Sequence, residues 1–166
     1  IPALEAFNYI LQRYPASNTI AHAQIWREKT NLRLENEELA IKNLKRLIEA
    51  GNMEDQDHAD AHATLAQAYI NQGVLDSAVV PVSIAASHTK YKDEEGRYLY
   101  IQGQLYNYLE KRDSANYVFE KLIELNRKIP RDYLVNARLE KARNFNYSNE
   151  DHTQLLNYLL EMEEDR

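Results

Sequence analysis

Small and apolar residues return every three or four positions along this chain, as in Leu39, Ala40, Leu44, Leu47 and Ile48, or Tyr98, Ile101, Leu105, Tyr106 and Leu109. That spacing puts them on one side of a helix and predicts amphipathic helices from end to end. Ala3, Phe7 and Ile10 form the first stripe, with Pro2 suited to the first helical position and Tyr14-Pro15 as the stop. A second helix, roughly 18–34, pairs with the one carrying Ala40, which stops at Gly51, a natural left-handed helix end. After an acidic, polar loop over 52–57, a helix from about His58 to Asn71 leads to a partner starting after Asp76. The Asp76 carboxylate can accept from free N–H groups of the first turn, and Asp113 is expected to do the same for the helix ending near Asn126. Pro81 falls about one turn into its helix and predicts a kink or a late helix start. Beyond a loop at 89–92, the helix bearing Tyr98 to Leu109 pairs with one bearing Ala115, Phe119, Leu122 and Ile123. Pro130 precedes a helix from about Asp132 to Phe145, and Ser148 with Asp151 reads as a capping box for a last helix carrying Leu155, Leu156, Leu159 and Leu160. Nine helices are expected.

The stripes repeat on a longer scale. Ala3, Ala40, Ala78 and Ala115 sit at the same point of four similar segments, 37, 38 and 37 residues apart. The run Leu65-Ala66-Gln67-Ala68-Tyr69, followed by Gly73 and Asp76-Ser77-Ala78, parallels Gln102-Gly103-Gln104-Leu105-Tyr106, followed by Asp113-Ser114-Ala115. A fixed period of this length marks stacked helical hairpins that cannot bury their apolar faces alone. The expected fold class is therefore all-α, a solenoid of about four and a half hairpins. It divides into a half repeat at 1–17, repeats at about 18–57, 58–92 and 93–130, and a terminal pair at 131–163. The opening Ile1-Pro2-Ala3, without an initiator Met, suggests one block of a longer protein.

Composition supports helices and narrows the chemistry. With only 4 Gly and 4 Pro in 166 residues, the punctuation that many strands would need is missing. The net charge of −6 is spread along the chain and ends in Glu161-Met162-Glu163-Glu164-Asp165, so there is no basic stripe for nucleic acid or anionic lipid. No apolar run reaches the ~20 residues of a membrane span, so direct membrane insertion is not expected. The absence of cysteine excludes disulfides, thiolate metal sites and cysteine nucleophiles. No nucleophile elbow, phosphate-binding glycine loop, zinc-protease helix or dinucleotide fingerprint occurs, so neither an enzyme nor a cofactor is expected.

The segments resemble the tetratricopeptide repeat, which has a small residue and an aromatic on its first helix, an Ala early in the second, and a large apolar residue four later. Leu65, Ala66, Tyr69, Gly73, Ala78 and Ala85 fit this pattern in the third segment; Gly103, Tyr106, Leu109, Ala115 and Phe119 fit it in the fourth. Ala3, Phe7 and Pro15 carry it in the first half repeat. The resemblance implies a right-handed superhelix that binds proteins. The second segment departs from the pattern, with Glu28 and Asn31 where a small residue and an aromatic are expected. Its run Ile25-Trp26-Arg27-Glu28-Lys29-Thr30-Asn31, with Arg33-Leu34 and 38–44, is similar to the lipoproteins of gliding motility and type IX secretion, as are 97–106 and Asn136-Ala137-Arg138. That similarity implies a noncatalytic scaffold in the periplasm, tethered to the outer membrane through a lipid anchor outside this chain and touching other secretion and motility components. A generic adaptor holding one short peptide, an inert spacer, and a block presenting substrates to an enzyme are the alternative readings.

On such a solenoid the first helix of each pair lines the concave face. Counting through the repeat puts Lys29, Arg33, Gln67, Asn71, Arg97, Tyr100, Gln104, Asn107 and Tyr108 there as candidate protein-binding residues. The blander alternative is that most tyrosines simply cover helix seams. Trp26, the single tryptophan, is expected to pack more than to dock. The Lys, Arg and Asn clamp of chaperone-binding tetratricopeptide domains is not reproduced, since the matching positions carry Ile25, Ala63, Gln67 and Asn71. His58 and His62, four apart beside Asp55, Asp57 and Asp60, could face a metal, but acidic residues at a helix start are more simply explained by the helix dipole.

Overall fold

The structure, a computed structural model, describes residues 2–145 and 152–164. Among these, nine α-helices and no strand are found: α1 (Pro2–Arg13), α2 (Ile20–Arg33), α3 (Glu37–Ala50), α4 (Asp55–Asn71), α5 (Leu75–His88), α6 (Lys92–Tyr108), α7 (Arg112–Leu125), α8 (Arg131–Arg143) and α9 (His152–Glu164). A short 3₁₀ turn, Asn126–Lys128, joins α7 to α8. Each helix packs on the next, and α2 also touches α4 and α6 touches α8, the neighbour and next-neighbour pattern of stacked hairpins. The fold is an all-α solenoid of the tetratricopeptide type.

The three alanines that set the period lie in matching surroundings. Ala40, Ala78 and Ala115 are all fully buried near the starts of α3, α5 and α7, where a methyl group lets two helix backbones approach closely. Ala3 is exposed instead, because α1 has a neighbour on one side only and buries no residue fully. Around the buried alanines, Tyr98, Phe119, Leu122 and Val82 build the main core over α4 to α8, and Ile25, Leu44, Ala61 and Leu65 build a smaller one over α2 to α4. Tyr69 packs against both. Gly103 is the tightest point: a Cβ there would lie 2.4 Å from Cε1 of the buried Phe119 ring.

The turns repeat as well, in a way that residue types conceal. The chain leaves α2, α4 and α6 through a left-handed residue, Glu35 (φ 58°), Gly73 (φ 74°) and Glu110 (φ 59°), again 38 and 37 residues apart. In each case the following N–H donates back to a carbonyl of the last turn: Asn36 to Asn31 (3.0 Å), Val74 to Tyr69 (3.0 Å) and Lys111 to Tyr106 (2.9 Å). This is the closure that best suits glycine, yet only Gly73 is one. Gly51 (φ 65°) ends α3 as its residue type predicts.

Several local expectations need correction. α4 begins at Asp55, three residues before His58, so half of the anticipated loop is its acidic first turn. Asp76 and Asp113 are not caps: α5 and α7 start one residue earlier, at Leu75 and Arg112, and the Asp76 carboxylate accepts only from the N–H of Ser77 (2.8 Å). Of the two outcomes expected at Pro81, the late start does not occur: α5 runs from Leu75 to His88 with Pro81 buried inside it. The capping box at Ser148 and Asp151 lies outside the described residues.

Candidate protein-binding groove

The exposed sides of α2, α4 and α6 enclose a cavity of about 590 Å³. Its apolar surface comes from Ala63, Ile70 and Ile101, and its polar rim from Lys29 and Arg33 on α2, Gln67 and Asn71 on α4, and Arg97 on α6. Five of the nine candidate residues are thus brought together by the stacking of first helices. Pocket size and an apolar floor with few polar groups suit a bound side chain or short segment.

Most of the polar rim is already organised. Lys29 Nζ lies 3.3 Å from Asp60 Oδ1 and 4.6 Å above the Trp26 ring, so its charge is largely answered from within. Gln67 Nε2 donates to Asn71 Oδ1 (2.8 Å), and Asn71 Nδ2 donates to Glu37 (3.4 Å). Arg97 stacks over Tyr98 and donates to its hydroxyl oxygen (3.4 Å). Burial holds the Tyr98 phenol above its usual pKa against the opposing pull of Arg97, so its O–H stays a donor. Arg33 is exposed and has no ion-pair partner among the described residues. Three basic groups to one acidic group give this cavity the opposite sign to the chain's net charge of −6.

The other four candidates lie elsewhere. Tyr100 is half-buried between Phe119 (6.2 Å between ring centres) and Tyr133 (5.8 Å). Asn107 donates to Glu140 (3.2 Å) and accepts from Asn144 (2.7 Å), fastening α6 to α8. Gln104 and Tyr108 are exposed but do not line the cavity. The side of α6 nearer α8 is taken up by that helix, which repeat counting alone does not reveal. Ile25, counted as concave, is fully buried in the smaller core.

Trp26 reverses its expectation: it is 43% exposed and lines the cavity. Asp60, Tyr98 and Ile101 line it too and were not singled out as binding residues. A signal existed for them, since Asp60 and Arg97 are 37 apart and Thr64 and Ile101 are 37 apart, equivalent rungs on successive first helices.

His22, Asp57 and Asp60 are the one set of metal-capable donors that converge among the described residues, with ligand atoms within 4.8 Å of one another. Their hydrogen bonds oppose a metal. Trp26 Nε1 can only donate, and it donates to His22 Nε2 (2.9 Å), so the imidazole proton sits on Nδ1, facing Asp57 Oδ1 at 3.3 Å. An ion at Nδ1 would move that proton to Nε2, setting two N–H groups against each other. The cluster is better described as a polar seam between α2 and α4. His58 and His62 do not face a common ion either: their rings stack at 5.4 Å, and the His58 ring also stacks with that of His88 at 5.4 Å.

The fold and groove define a helical-hairpin solenoid of the tetratricopeptide type with an open, cation-rimmed face. Two crystal structures of MamA, a tetratricopeptide-repeat protein, share its shape: one at 17% identity and a TM-score of 0.68, covering 98% of this chain and 87% of its own, the other at 17% and 0.66, covering 94% and 76%. At that identity the likeness concerns the fold. No protein family and no curated protein matches the sequence.

Proposed function

We propose that this chain is a noncatalytic protein-interaction scaffold whose groove across α2, α4 and α6 holds a segment of a partner protein. The observation that carries this reading is the cavity of about 590 Å³ built from successive first helices, with the Arg33 and Arg97 guanidiniums and the exposed Trp26 at its edge. Tryptophan and arginine are the side chains that most often anchor protein interfaces. The test is capture of partners from cell-envelope extract by the immobilised chain and by an Arg33→Glu, Arg97→Glu variant. Specific partners lost by the variant support the groove; equal recovery by both removes it, and recovery by neither favours an inert spacer.

A narrower reading places the scaffold among the components of type IX secretion and gliding motility, in the periplasm and anchored to the outer membrane outside this chain. What supports it is the resemblance of the runs 25–31, 33–34, 38–44, 97–106 and 136–138 to lipoproteins of those systems. Recovery of secretion or motility components in the same capture supports the assignment, and their absence among specific partners overturns it while leaving the scaffold intact.

A further inference from the structure

A second cavity, about 910 Å³, opens between α5 and α7 over the side of α6 that the groove does not use. Gln102 lies in its wall, only 7% exposed, and has no hydrogen-bond partner among the described residues. Its amide atoms are not sealed from water, His58 Nδ1 being the one buried side-chain atom without a partner among the described residues, so the bulk of Gln102 is buried while its amide keeps its donors and acceptor free for a ligand in the cavity. One carbonyl and one NH₂ group complement a single peptide unit, which presents both an N–H and a C=O.

The charges around it mirror those of the groove. Glu95, Asp113 and Glu124 line the cavity against Lys121 alone. Lys92 pairs with Glu95, and Lys121 lies over the Tyr117 ring at 4.5 Å. Asp113 and Glu124 are exposed and have no ion-pair partner among the described residues. We propose that this cleft is a second protein-binding surface, taking an extended, lysine- or arginine-bearing segment whose backbone pairs with the Gln102 amide and whose cations face Asp113 and Glu124. The solenoid then has two recognition faces of opposite charge preference, and the second does not depend on the first.

The test uses two fluorescein-labelled dodecapeptides of alternating sequence, one Lys-Ser and one Glu-Ser, titrated with the whole chain while Trp26 fluorescence is followed. The Lys-Ser peptide is expected to bind saturably without changing Trp26 emission, because the tryptophan lines the other cavity. Gln102→Leu is expected to weaken it at least fivefold at unchanged net charge, which separates the cleft from general attraction to an acidic protein. Asp113→Asn with Glu124→Gln, both on the surface, is expected to weaken it at least fivefold and remains decisive if Gln102→Leu fails to fold. No binding by the Lys-Ser peptide, equal affinity for the folded variants, or binding that moves Trp26 emission would overturn the cleft. Equal affinity for the Glu-Ser peptide would also overturn the cleft, because that peptide offers no cation to Asp113 and Glu124.

Discussion

Replacing Gly103 by alanine tests the packing on which the repeat depends. The added Cβ would stand 2.4, 2.6 and 2.8 Å from three atoms of the Phe119 ring, which is itself fully buried in the main core. Separations under 3.0 Å cannot persist, and a ring enclosed on all sides has no solvent to turn into. Overpacking a core costs typically about 1–3 kcal/mol, and three simultaneous clashes place this site at the upper end. Against that, alanine is about 1 kcal/mol better than glycine inside a helix. The net loss is about 2 kcal/mol, equivalent to a fall in melting temperature of roughly 4–8 °C for a chain of this size. Urea titration followed by circular dichroism measures the first, and a thermal scan the second. The control is Phe119→Leu, which alone is destabilising but removes the ring atoms that collide; combined with Gly103→Ala it should give a smaller loss than the two single losses added. If Gly103→Ala matches the parent, or if the two substitutions are additive, α6 and α7 do not approach each other as closely as described.

Three further outcomes follow from the structure. Glu110→Gly should raise stability by about 0.5–1 kcal/mol in urea titration, because a glutamate now holds the left-handed exit from α6 that glycine holds after α4; no gain would mean the turn is not left-handed. Glu28→Ala should cost about 3 kcal/mol in the same assay, since the 1%-exposed carboxylate accepts from Arg27 (2.6 Å), Asn31 (2.7 Å) and Asn43 (3.1 Å), and its loss strands the buried Asn31 amide; a neutral result would show the network to be dispensable. Burial, and then repulsion from His58 and His88, hold the His62 imidazole below its usual 6.5, against the backbone carbonyl of His58 that favours its charged form. The unfolded chain therefore binds the proton more readily, so this contribution to stability is intact above pH 6.5 and is lost as pH falls below it. The urea midpoint should drop between about pH 7.5 and about pH 5.5, and drop less in His62→Gln; equal drops would remove His62 as the cause.

Period and burial pattern were legible because both arise from local helix geometry repeated at one interval. Ala40, Ala78 and Ala115 are read from spacing alone and are all fully buried. The helix ends at Glu35 and Glu110 were not legible, since no residue type advertises them; only their register with Gly73 does. In the groove, counting picks out Lys29, Arg33, Gln67, Asn71 and Arg97 on successive first helices, and all five line one cavity. It could not show that α8 takes up Tyr100 and Asn107, because that depends on how one hairpin sits on the next. Nor could it show that Asp60 answers Lys29 while Arg33 stays open, because the two pairings differ by interhelical distances.

The second hairpin shows how a repeat can break its own pattern without losing the fold. Where the small residue and the aromatic belong, Glu28 and Asn31 are instead 1% and 3% exposed, linked to each other and to Asn43 on α3. Burying a carboxylate is costly unless its acceptor capacity is met, and here three donated bonds, from Arg27, Asn31 and Asn43, and the ion pair with the Arg27 guanidinium meet it. The apolar packing that those two positions do not provide is supplied beside them by Ile25 and Leu44, both fully buried. Directional bonds of this kind fix the register of α2 on α3 more narrowly than interchangeable apolar side chains would. That matters for recognition, because Trp26, Lys29 and Arg33 stand on the same helix as Glu28 and Asn31. Sliding or rotating α2 would move all three together. The irregular hairpin is thus the one whose internal polar network holds the α2 side of the groove in place.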